Sequence, residues 1–123
     1  FIASLASVSF SSTTLQWIFC QKNTIGNNKI IISHAHHDNA YDNVYDISNV
    51  FDPIHLYDIN YGSYITGITV ESWSLWDAEI YGDYLYTLLH VYDGSNYLGV
   101  LISFVLGSSG VTKYDEVDGP SDE

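Results

Sequence analysis

Arginine and methionine are absent, and lysine occurs only at Lys22, Lys29 and Lys113, against 15 acidic residues and a formal charge of -12. Without arginine the chain has no fork-shaped donor for carboxylates or phosphates, and three lysines do not neutralise a polyanion. Nucleic acids, nucleotides and anionic lipids are therefore poor candidates as partners. Cys20 is the only cysteine, so neither an intramolecular disulfide nor a cysteine-rich metal module is available. In its apolar setting, Leu15 to Cys20, it reads as a core thiol. Long hydrophobic runs are missing too. Tyr97 to Leu106 is about half of what a membrane-spanning helix needs, and no membrane span is expected. Neither an Asn-x-Ser/Thr sequon nor a Gly-x-Ser-x-Gly elbow occurs, and the chain is read as non-enzymatic.

What is present is a strand pattern. Apolar residues make up 46% of the chain, enough for a packed core, and tyrosine alone occurs 11 times. Aspartate, the turn-forming acid, far outnumbers glutamate, which places the charge between strands. Strands are expected at Lys29–Ser33, Ile54–Ile59 and Tyr64–Trp73, with a bulge or close approach at Gly67. Tyr84–Tyr92 and Tyr97–Leu106 flank Asp93-Gly94-Ser95-Asn96 and read as a hairpin. The second of these runs is apolar at both alternating sets of positions, as in a central strand covered on both faces. Helix formers are scarce. The pattern predicts an all-β, antiparallel β-sandwich of jelly-roll type in a single domain. Residues 1–14 are read as an N-terminal strand, 15–114 as the sandwich core, and 115–123 as an acidic, flexible tail.

Three groups of residues could carry chemistry. Ser33-His34-Ala35-His36-His37-Asp38 follows an isoleucine run, and on a strand His34 and His36 would share a face, a spacing that chelates zinc or another transition metal. This stretch resembles the strand-end metal motif of the metallo-β-lactamase superfamily, with His34, His36 and Asp38 on the family's positions. Asn39 stands where that family has histidine, and its fold needs helices that this composition does not supply. Next, Asp38, Asp42 and Asp46 lie four apart, with Asn39 and Asn43 between them. Oxygen donors packed so densely without a basic neighbour suit calcium, the first cofactor candidate ahead of zinc. Finally, five tyrosines precede an aspartate, and with Trp73 and Trp76 they could form a sugar-stacking face. Tyr92-x4-Tyr97-x-Gly99 also resembles the Greek-key signature of the βγ-crystallins, a calcium-binding β-sandwich family.

The uncharged segment Phe1–Phe10 can place Ile2, Ala6, Val8 and Phe10 on one side, and Ser11–Thr14 would serve as a hinge. Such a strand can complete the sheet of another subunit as a donor strand. The sequence is therefore read first as an exported structural protein found extracellularly, at a cell surface or in a virion. Its partners would be copies of itself, in a filament, layer or capsid built by strand addition with help from cations. The alternative is a carbohydrate-binding module or lectin with glycan partners.

Overall fold

The computed structural model describes residues 23–33 and 38–122. Among these the strands are β1 (Thr24–Gly26), β2 (Lys29–Ile32), β3 (Asp42–Asp46), β4 (Ile54–Ile59), β5 (Ser72–Tyr81), β6 (Tyr84–Tyr92), β7 (Tyr97–Leu106) and β8 (Val111–Asp122). A single 3₁₀ turn, Tyr61–Tyr64, lies between β4 and β5. The strands form two four-stranded antiparallel sheets, β1-β2-β3-β4 (sheet 1) and β5-β6-β7-β8 (sheet 2). The all-β antiparallel class expected from the sequence is the observed one. Both sheets run in chain order, however, whereas a jelly roll alternates strands between its sheets. The described strands show no such alternation.

Local chemistry accounts for the turns. The β1–β2 hairpin turns on Asn27 and Asn28, with φ of 49° and 59°. This is the left-handed conformation that asparagine tolerates and that matches strand twist. The β6–β7 turn is closed by Asp93, whose Oδ1 accepts from the amides of Ser95 (2.8 Å) and Asn96 (2.7 Å). These donors hold the Asp93 carboxyl below the usual carboxylate range, Asn96 contributing most. Gly94, at φ 101°, supplies the backbone shape that an L side chain resists.

The core lies between the sheets. In β6 the alternation is clean: Leu85, Leu89 and Val91 point inward, together with Thr87, whose hydroxyl donates to the Ile102 carbonyl at 3.0 Å. From β7 come Val100, Ile102 and Phe104, and opposite them sheet 1 contributes Ile31, Val44 and Ile59. Each such side chain contributes about 1.5–3 kcal/mol by leaving water. First strand meets first strand where the sheets touch: Thr24 Oγ1 donates to the Ala78 carbonyl at 3.2 Å, and Gly26 lies against Ile80. One turn also meets the other, Asn27 Nδ2 donating to Asp83 Oδ1 at 3.1 Å.

Several expectations shift. Tyr64–Trp73 is not one strand, because Tyr61–Tyr64 coils and Gly67 takes φ 81°, so extended pairing begins only at Ser72. Residues 115–122 are not a separate flexible tail, since β8 runs through them and pairs with β7 (Val117 with Leu101, Asp118 with Val100). The β8 strand is anchored by Lys113, whose ammonium pairs with Glu116 and donates to the Tyr64 carbonyl at 2.7 Å. The proposed donor strand (Ile2, Ala6, Val8, Phe10) and Cys20 lie outside the described residues. Among the described residues no helix is long and apolar enough to cross a membrane.

Two tyrosines bind stability to pH. Burial, then the Asp42 carboxylate, pushes the Tyr61 phenol well above its ordinary value. Burial, then neighbouring Tyr64, pushes Tyr57 up to about 12. In the unfolded chain both phenols ionise near 10, so above that pH the unfolded state holds fewer protons than the fold. Stability should therefore be unaffected by these groups below about pH 10 and fall between about 10 and 12. Urea midpoints at pH 9 and 11, with tyrosinate absorbance at 295 nm, measure this. Full tyrosine ionisation at pH 11 with an unchanged midpoint would contradict it.

Candidate functional site

Among the described residues the outward face of sheet 2 is the most unusual surface. Alternation puts Tyr84, Tyr86, Leu88, His90 and Tyr92 of β6 on the face opposite the core. Neighbouring strands match them: the register sets Tyr86 beside Ser103, Leu88 beside Leu101 and His90 beside Gly99, and Leu101 beside Val117 of β8. Leu88, Leu101 and Val117 are 41%, 44% and 57% exposed. Soluble surfaces scatter such residues singly, whereas here they are cross-strand neighbours in one patch.

An aromatic strip crosses the upper half of this face. His90 stacks on Trp76 with ring centroids 4.3 Å apart and 29° between planes, and on Tyr97 at 4.8 Å and 8°. Tyr92 continues the strip at 4.8 Å from Tyr97. Trp76 reaches this position through a β-bulge: Leu75 pairs with Leu89 and Asp77 with Leu88, leaving Trp76 as the extra residue. Beside the strip, a shallow depression of about 140 Å³ is floored by Leu88 and Leu101 and rimmed by Asp77, Glu79 and Tyr86. Rings in this arrangement can stack on flat apolar surfaces or sugar rings, and the two acids on the rim can accept hydrogen bonds.

Trp73, read from the sequence as part of a sugar-binding face, is a core residue instead. It is only 5% exposed, with its ring edge-on to Tyr61 at 5.9 Å. Its backbone is clamped by Asn39, which donates its amide to the Trp73 carbonyl (2.7 Å) and accepts from the Trp73 amide through Oδ1 (3.1 Å). Asn39 holds φ 58° to do so.

The three aspartates read as a cation site have separate environments. Asp38 is exposed in the turn before β3. Asp42 is buried, and its Oδ2 accepts from Ser33 Oγ at 3.0 Å and the Tyr61 hydroxyl at 2.9 Å. Asp46, at the far end of β3, accepts from the hydroxyl and amide of Ser48 at 2.6 and 2.7 Å. Ser48 lowers the Asp46 carboxyl, its hydroxyl contributing most. Four residues of strand set Asp42 and Asp46 roughly 13 Å apart. Among the described residues no cluster of three or more His, Cys, Asp or Glu is placed to hold a metal ion. His34 and His36 lie outside the described residues.

His90, Leu88 and Leu101 escaped the sequence reading as surface residues. Their signal was present: in Tyr84–Tyr92 and Tyr97–Leu106 both alternating sets are mostly aromatic or apolar, Thr87, Gly99 and Ser103 apart, where a solvated outer face would be polar. Compared with protein-family models, with curated proteins and with solved structures, the chain has no significant match in any of the three.

Proposed function

We propose that this chain is a structural subunit that associates with copies of itself, and that copies meet on the outer face of sheet 2. The observation that carries the reading is the central strand β7. Its inward residues fill the core while Leu101 and Val105 of its outward set remain exposed. An apolar strand with one uncovered face is the state of a sheet before its partner arrives. An exported filament, surface layer or virion is the setting that suits such a subunit. The charge of -12 per copy opposes assembly, so association should strengthen with salt or with bridging calcium.

Sedimentation velocity at 0.05 and 0.5 M sodium chloride, and with calcium or EDTA, tests this. The parent should form larger species as salt rises. Leu101→Asp should stay monomeric, because a carboxylate would have to be buried in the contact. A parent chain that remains monomeric in every buffer would overturn the reading.

A second reading, a glycan-binding module, is favoured by the Trp76–His90–Tyr97 strip, whose rings offer a stacking surface beside two acids. Glycan binding by a monomer, lost in Trp76→Ala and retained in Leu101→Asp, would favour it over assembly.

A further inference from the structure

The described residues offer two outer sheet faces, and that of sheet 1 is closed. On the side of β2 away from the core, Ile30 and Ile32 are buried within this chain, at 8% and 7% exposure. Beside them Asn43 donates to Asp58 Oδ1 at 2.8 Å, and His55 Nε2 lies 2.7 Å from the same oxygen. This side is thus covered at β2 and polar at β3 and β4. The outer strands of sheet 2 are poor templates for strand addition. A bulge at Trp76 breaks β5, which carries Asp77 and Glu79, and β8 has two register shifts with Asp115, Glu116 and Asp118. For a second copy that meets the outer face of sheet 2, the matching apolar surface is the same face.

That face also holds a residue the fold does not require. Gly99 lies within the central strand β7, where glycine weakens pairing and often marks a place that another chain approaches closely. Its φ is not positive, so the freedom special to glycine is not in use. The β8 strand bulges opposite it, yet a Cβ on Gly99 would meet nothing within 4 Å. Two residues further on, Leu101 stands out on the same side. The gap and the projection are therefore neighbours along one strand. The aromatic strip and the hollow floored by Leu88 and Leu101 are neighbours in the same direction.

We infer that two copies pair face to face through the outer faces of sheet 2, about a two-fold axis that crosses the strands at Val100. This axis lays β7 on β7 and seats Leu101 of each copy over Gly99 of the other. It also lays each aromatic strip over the other copy's hollow. The strands have 9 to 12 residues. Four of them at about 4.8 Å spacing make a face of about 600 Å², or about 1,200 Å² for the pair. That is the lower end of what specific pairs bury, and it suits an association that salt controls. The inference rests on the self-association proposed above and replaces strand addition with the packing of sheet faces. The pair uses this face on both copies, so a filament or layer needs a second contact.

Gly99→Val is the direct test. Open space at the Cβ and the strand preference of valine should keep the fold and its melting temperature, while the side chain fills the seat of Leu101. In sedimentation at 0.5 M salt the parent should reach twice the 13.8 kDa chain mass. Gly99→Val should pair more weakly by roughly tenfold or more. The symmetry is read by mixing fluorophore-labelled Leu101→Asp with excess parent. A face that pairs only with itself leaves the label on monomers, whereas a face that meets a different surface carries it into the parent's species. The axis also sets β5 on β5 and gathers Asp77 and Glu79 of both copies at one edge. Asp77→Asn with Glu79→Gln should therefore pair already at 0.05 M salt, where a basic partner would instead be lost. Gly99→Val pairing like the parent, label carried into the parent's species, growth past two copies, or weaker pairing on neutralising the edge would each overturn face-to-face pairing and leave self-association standing. A parent that stays monomeric in every buffer would overturn both.

Discussion

A Gly62→Ala variant should melt far below the parent, with a loss of about 3 kcal/mol and a melting temperature lower by about 10–15 °C. The cause is a close approach. An added Cβ would sit 2.0 Å from Nε1 and 2.4 Å from Cδ1 of Trp73. Trp73 has nowhere to go: its backbone is held by Asn39, and its ring packs against Tyr61. Moving the indole would disturb the core at the junction of the two sheets. Gly110→Ala is the internal comparison, since nothing lies within 4 Å of a Cβ there. It should change stability by less than about 0.5 kcal/mol. Thermal melts of the two variants, run together, decide the matter. Equal melting temperatures would mean that Trp73 does not occupy the described position.

The second large effect should come from Asp42. Its carboxylate is buried and receives hydroxyl donors from Ser33 and Tyr61, each of which would lose its acceptor in Asp42→Ala. A buried donor left unpaired costs about 1–3 kcal/mol, so the expected loss is about 3 kcal/mol or more. Asp42→Asn keeps an acceptor and should cost less. Tyr61→Phe removes one donor to a charged group, at about 1.5–3 kcal/mol. Because the two residues share one bond, their effects should not add, and a double-mutant cycle should return about 1 kcal/mol of coupling. Urea unfolding of the four chains measures it. Strict additivity would sever the link between Asp42 and Tyr61.

These residues show where the sequence was legible. The hairpin across Asp93–Asn96 was readable because its chemistry is local: aspartate and glycine in the turn, with β-branched and aromatic runs on either side. Lys29–Ile32 and Ile54–Ile59 were readable for the same reason. Trp73 and Asp42 were misread, because their burial depends on contacts distant in sequence. Nothing near Asp42 announces that Tyr61 will bring its hydroxyl to it, and four-residue spacing among aspartates looks alike on a solvated loop and a buried strand. The acidic stretch from Asp115 looked like a tail, because its charge outweighed a pairing register that only β7 supplies.

The chain-order meander has a kinetic consequence. Among the described residues every strand pairs only with its neighbours in the chain, so each of these hairpins can close without waiting for distant segments. The costly loop closures come when the sheets dock, as when β1 reaches β5 and Thr24 finds the Ala78 carbonyl 54 residues away. Folding thus separates into local zippering within each sheet and one late docking step. Sheet 2, with strands of 9 to 12 residues, is the natural template. Sheet 1, with strands of 3 to 6, would gain most of its persistence from being docked. Substitutions in the joint between the sheets would then act mainly on how fast the protein comes apart, and those within the β6–β7 hairpin on how fast it forms.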